Sequence, residues 1–76
     1  MAKYLNNIPL LVSQKEVRDK RRYKQKEIAI ESGLNEPMIS RLMREPEIGG
    51  ITYATARAIA EWLGVSTDDL ATKEQE

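Results

Sequence analysis

The chain has 76 residues, with 12 Lys and Arg balanced by 12 Asp and Glu, no His and no Cys, a length that suits one small core and not two. Without Cys there is neither a disulfide framework nor a thiolate metal site, and without His the imidazole used by most acid–base and zinc chemistry is missing. An enzyme, a metal site, a cofactor and a small-molecule substrate are therefore not expected. Hydrophobic residues make up 41% and charged residues 32%, the balance of a helix-rich globular domain and not of a disordered chain. The longest apolar run, Ile8 to Val12, falls far short of the ~20 residues that span a bilayer and lacks the length of a signal peptide, so no membrane partner and a cytoplasmic location are expected.

Zero net charge hides an asymmetry. Residues 1–44 hold ten Lys and Arg against five Asp and Glu, whereas residues 45–76 hold two against seven. The basic density peaks over Lys15, Arg18, Lys20, Arg21, Arg22, Lys24 and Lys26. Such a cluster suits a polyanion, and on charge alone it equally suits a solvated helix face.

Helix starts and stops recur along the chain and strand alternation is hard to find, which predicts an all-α fold of about five short helices over residues 7–71, with 1–6 and 72–76 as flexible termini. The first helix is predicted from about Asn7, a capping residue, to about Arg22, with Pro9 tolerated in its first turn. Leu10, Val17 and the stem of Arg21, with Leu11 beside them, form its candidate apolar stripe. The second is predicted over Gln25 to Ser32, with Ile28 and Ala29 inward and Gly33 supplying the left-handed conformation that ends it. Asn35 caps a third helix running to Arg44, with Pro37 in its first turn. Its apolar Met38, Ile39, Leu42 and Met43 share one face and leave Glu36, Pro37, Ser40, Arg41 and Arg44 outward. Glu45-Pro46-Glu47 and Gly49-Gly50 then make a loop. Thr52 then caps a fourth helix in which Ala56, Ile59, Ala60 and Leu63 repeat at helical spacing before Gly64. Ser66 to Asp69 starts a last short helix anchored by Leu70.

The segment from Gln25 to Arg44 carries the functional signal. Ala29 is small where two helices must cross closely, Gly33 supplies the turn, and Ile28, Leu34, Ile39 and Leu42 bury the inner faces, which is the spacing of a helix-turn-helix. In that motif the second helix enters the major groove and the first crosses the sugar–phosphate backbone. Val17-Arg18, Gln25, Ala29, Gly33, Leu34, Ile39, Ser40-Arg41 and Leu42 resemble the Cro and phage-repressor type of helix-turn-helix domain. The later run Ala58-Ile59-Ala60-Glu61-Trp62-Leu63-Gly64-Val65-Ser66 with Asp69-Leu70 looks like the closing signature of that family. The resemblance implies a lambda-repressor-like fold, a prokaryotic or phage transcriptional regulator, and double-stranded DNA as the partner, in a nucleoid-associated setting.

By position, the resemblance implies that Gln25 bonds a phosphate, helped by the partial positive charge of the helix end around it. It places Glu36, Pro37 and Arg41 at bases: Arg41 on guanine O6 and N7, Glu36 accepting from a cytosine amine, Pro37 on a thymine methyl. Glu36 has an alternative in favouring its own helix N-terminus. Asn35 is a cap first and a phosphate or base contact second, Ser40 and Arg44 are candidate phosphate contacts, and Lys24 and Lys26 add salt-sensitive attraction. Sites read by such domains are commonly two-fold symmetric, which points to a weak homodimer completed on DNA.

The sequence departs from the family pattern in four places. The glutamate that pairs with the arginine matched by Arg18 is replaced by Met43, leaving Glu45 or water to Arg18. Lys24 stands where a Ser, Thr or Asn cap is usual, Ser32 stands where an apolar residue is usual, and the loop with Gly49-Gly50 is a little longer than the common form. Trp62, Tyr4, Tyr23 and Tyr53 read as core or rim before stacking platforms. An exposed Trp62 in the acidic half is the feature that favours the competing use of this fold, a protein-interaction module such as an antitoxin or adaptor.

Overall fold

The computed structural model describes residues 3–46, 48 and 51–74. Among them, strand β1 (Lys3–Asn6) leads into helices α1 (Ile8–Asp19), α2 (Gln25–Ser32), α3 (Glu36–Arg44) and α4 (Tyr53–Leu63), then a 3-10 turn (Thr67–Leu70) and strand β2 (Ala71–Glu74). The all-α, five-helix expectation is corrected to four α-helices, one 3-10 turn and a two-stranded antiparallel sheet among the described residues. The Ser66 start signal does operate, since the Ser66 N–H donates to Asp69 Oδ2 at 3.2 Å. The turn it opens goes no further because Ala71 is already extended, at φ −144° and ψ 146°, to pair with β1.

The ends expected to be flexible, 1–6 and 72–76, are tied together where they are described. Lys3 pairs with Glu74, Tyr4 with Lys73, Leu5 with Thr72 and Asn6 with Ala71. Four-residue strands are too short to show alternation, and their pairing joins opposite ends of the chain, so no local pattern announces it. The remaining end residues 1, 2, 75 and 76 lie outside the described residues, as do Glu47, Gly49 and Gly50 of the expected loop.

Helix α1 differs most from its sequence pattern. It ends at Asp19 and not near Arg22, because Lys20 takes the left-handed conformation (φ 55°) and Arg21 N–H returns to the Glu16 carbonyl at 3.1 Å. Its buried residues are Ile8 and Val12, with Leu11 packed beside them, while Leu10 and Val17 are 59% and 79% exposed. Apolar residues lie on two faces of this helix. The one that wins places Ile8, Leu11 and Val12 at i, i+3 and i+4. The expected Asn7 cap is also displaced. Asn6 Oδ1 accepts the Ile8 N–H at 2.9 Å, and Asn7 Nδ2 donates to Thr72 Oγ1 at 2.8 Å and Asp69 O at 3.3 Å.

The other helices follow their local signals. Gly33 and Gly64 adopt φ 78° and 75° at the ends of α2 and α4, Asn35 Oδ1 accepts from Met38 N–H at 2.8 Å, and Thr52 Oγ1 accepts from Thr55 N–H at 3.2 Å. One core joins them: Ile8 and Val12 from α1, Ile28 and Ala29 from α2, Ile39 and Leu42 from α3, Ile59, Ala60 and Leu63 from α4, and Leu70 from the 3-10 turn.

A domain of this length has about 4–11 kcal/mol of total stability. Ile59→Ala, at a side chain buried to 1% exposure, is expected to remove ~2–5 kcal/mol of it and lower the melting temperature by about 10 °C or more. A left-handed conformation is costly for a residue with a Cβ, so Lys20→Gly is expected to stabilise the fold by ~1 kcal/mol. A urea midpoint at or below that of the parent chain would contradict the Lys20 expectation.

Candidate nucleic-acid interface

The turn between α2 and α3 is short because Gly33 reverses the chain in a conformation L side chains avoid, and Leu34 and Asn35 then lead directly into the next cap. Ala29 of α2, 6% exposed, lies in the core, and α2 packs against α3. This holds α3 by Ile39 and Leu42, both buried, with Met38 and Met43 half-buried at the rim. On the opposite side, Asn35, Glu36, Pro37, Arg41 and Arg44 are exposed, as are Lys24, Gln25 and Lys26 at the start of α2. Ser40, expected outward, is half-buried.

Among the described residues no carboxylate pairs with Lys24, Lys26, Arg41 or Arg44. Apart from Glu36 on the exposed face itself, the acidic residues of the α1–α2 connection are engaged elsewhere. Glu27 pairs with Arg21 and accepts the Lys24 N–H at 3.1 Å, so the start of α2 is closed from its third residue although Lys24 itself has no capping oxygen. Glu16 accepts the Tyr23 N–H at 2.8 Å, and Asp19 accepts from the Tyr23 hydroxyl at 2.6 Å and lies 3.2 Å from Lys15 Nζ. Arg18 lies 3.7 Å from Asp19 and does not reach for Glu45.

These contacts build a second feature that the spacing of residues did not reveal, a clasp over the α1–α2 connection. The Tyr23 and Trp62 rings meet edge to face at 5.1 Å, Lys15 Nζ lies 5.1 Å from the Trp62 ring centre and 5.5 Å from that of Tyr23, and the Arg21 guanidinium covers Tyr23 at 4.3 Å. Trp62 Nε1 donates to Glu31 Oε1 at 3.0 Å. Both aromatics are half-buried rim residues packed against the core. The clasp ties the α1–α2 connection directly before Gln25, the first residue of α2. Its only sequence signal is the Glu16, Asp19, Tyr23 succession, which spacing alone does not separate from ordinary surface charge.

The family model described as helix-turn-helix matches residues 14–70. Three quarters of the chain is covered, and the protein belongs to that DNA-binding family, of the Cro and phage-repressor type. Comparison with the curated proteins and with the solved structures gives no match. Among the described residues there is no group of three or more His, Cys, Asp or Glu able to hold a metal ion, and no helix long and apolar enough to cross a membrane.

The clasp has a titration signature. The Tyr23 hydroxyl, then Lys15, hold the Asp19 carboxyl below its usual value, and the same Asp19 bond, with desolvation behind it, pushes the Tyr23 phenol above its own. Asp19 therefore contributes stability above the ordinary aspartate range that is lost on acidification through its lowered value. Tyr23 contributes below about pH 10 and loses it as pH rises through its raised value. Asp19→Asn is expected to move the Tyr23 ring titration down toward the ordinary phenol range, followed by NMR. An unmoved titration would show that the bond does not form.

Proposed function

We propose that this protein is a sequence-specific regulator of transcription, a repressor, that lodges α3 in the major groove of double-stranded DNA and acts by occupancy. The observation that carries the reading is the division of α3: Ile39 and Leu42 are buried while Glu36, Pro37, Arg41 and Arg44 are exposed beside the exposed Lys24, Gln25 and Lys26. A rigid helix with one anchored face and one cationic face is what groove insertion requires.

In this reading Arg41 grips a guanine through two acceptors, Glu36 and Pro37 meet neighbouring base edges, and Asn35 adds a phosphate or base contact to its capping role. Gln25 and the N-terminus of α2 hold a phosphate; Ser40, half-buried, and Arg44 reach others from α3. Lys24 and Lys26 supply attraction without sequence preference. Two copies on a two-fold site, weakly associated and completed by the DNA, double the base contacts. The competing protein-docking use loses its support at Trp62, whose ring and indole N–H are occupied by Tyr23, Lys15 and Glu31.

Selection of bound duplexes from a random pool supplies the target for the test. Arg41→Ala is expected to cost ~1–3 kcal/mol on the selected duplex and to relax preference at one base pair, whereas Lys26→Ala weakens selected and scrambled duplexes alike and flattens the salt dependence. Equal losses by both variants on both duplexes would overturn the assignment of roles.

A further inference from the structure

Asn6 ends β1, yet its side chain acts on two helices. Its Oδ1 accepts the Ile8 N–H at 2.9 Å in the first turn of α1, while its Nδ2 donates to the Leu42 carbonyl and, at 2.8 Å, to the Glu45 carbonyl at the far end of α3. The final carbonyls of a helix lack intrahelical partners. No glycine satisfies them in α3, because Glu45 leaves the helix extended, at φ −70° and ψ 129°. The amide of Asn6 takes that place. It is itself held on both sides, by the pairing of Asn6 with Ala71 and by the Asn6 N–H donating to Pro46 O at 3.1 Å.

We infer that Asn6 is a positioning residue for DNA readout: its single planar amide, bonded to the start of α1 and the end of α3, sets the angle of α3 and so the registration of Glu36, Pro37 and Arg41 with base edges. Asn6 need not touch DNA to do this. The inference rests on the reading that α3 enters the groove, and it adds to that reading a dependence of specificity on the paired ends of the chain. The side-chain amide serves both ends because its NH2 has a hydrogen for each of the two carbonyls and its oxygen accepts the Ile8 N–H, whereas a hydroxyl has one hydrogen to donate.

Asn6→Ser keeps a neutral acceptor for Ile8 but is too short to bridge to α3. Asn6→Asp keeps the acceptor and places a carboxylate against the two carbonyls. Asn7→Ser is the matched control, since the Asn7 side chain bonds Asp69 and Thr72 and not α3. Affinities for the selected and scrambled duplexes are compared at one salt concentration, with thermal melts of each variant. Asn6→Ser is expected to lower the preference for the selected duplex about tenfold, the scale of one good base contact, while Asn7→Ser leaves the preference intact whatever its effect on melting. Asn6→Asp, in which the start of α1 remains capped, is expected to lose preference as well, and it carries the test if Asn6→Ser does not fold. Retention of the parent preference in the folded Asn6 variants, or equal loss in the Asn7 control, overturns the positioning role alone. Equal binding of selected and scrambled duplexes by the parent chain overturns the α3 reading and this inference with it.

Discussion

The burial of Ile39 and Leu42 is the constraint on which the exposed face of α3 depends. Nine residues are fewer than a helix needs to stand alone in water, so α3 exists as a helix because two of its side chains are taken into the core. Once they are, the helical repeat leaves Glu36, Pro37, Arg41 and Arg44 no inward alternative. A rotation by one residue toward the N-terminus would turn the Arg41 guanidinium to the interior without a carboxylate to meet it, and one toward the C-terminus would exchange Ile39 for the hydroxyl of Ser40, each a loss against the apolar burial of Ile39 and Leu42. The face offered to a partner is thus the complement of the face the core requires.

A chain with no net charge still presents a cationic surface, and the reason is how its acids are used. Glu16, Asp19, Glu27 and Glu31 are spent on Tyr23, Lys15, Arg21 and Trp62, in a clasp that holds the connection between α1 and α2. In the second half Glu61 is paired with Arg57 within α4, and Asp68 and Asp69 lie in the 3-10 turn, where they favour a helix N-terminus. What remains around the start of α2 and the outer side of α3 is Lys24, Lys26, Arg41 and Arg44 against the single carboxylate of Glu36, and none of the four cations has a paired carboxylate among the described residues. A polyanion responds to this local field, not to the sum over the chain.

The two ends of the chain contribute through Asn6 and Asn7. Asn7 N–H donates to Leu70 O at 2.9 Å, and Ile48 N–H donates to Tyr4 O at 2.9 Å, so β1 lies between β2 and the segment that follows α3. The sheet adds little apolar burial. Its effect is to bind the beginning of α1, the end of α3 and the 3-10 turn into one unit, so that α3 is supported by its core face and by its C-terminal end.

What the sequence determined by itself was local. Asn35 and Thr52 announced their helices because a side-chain oxygen can satisfy a first-turn N–H, Gly33 and Gly64 announced their ends because few other residues tolerate a left-handed backbone, and the inner faces of α3 and α4 followed from helical spacing. These signals act over four or five residues, and together with the family resemblance they sufficed to outline the candidate interface. Where a segment offered two solutions of similar local merit, the pattern could not choose. α1 carries apolar residues on two faces, and only packing against the other helices selected Ile8, Leu11 and Val12 over Leu10 and Val17. The terminal strands, the Asn6 bridge to α3 and the Tyr23–Trp62 clasp were decided by the tertiary structure alone, since each joins residues far apart in the chain and their partners become neighbours only after the core has formed.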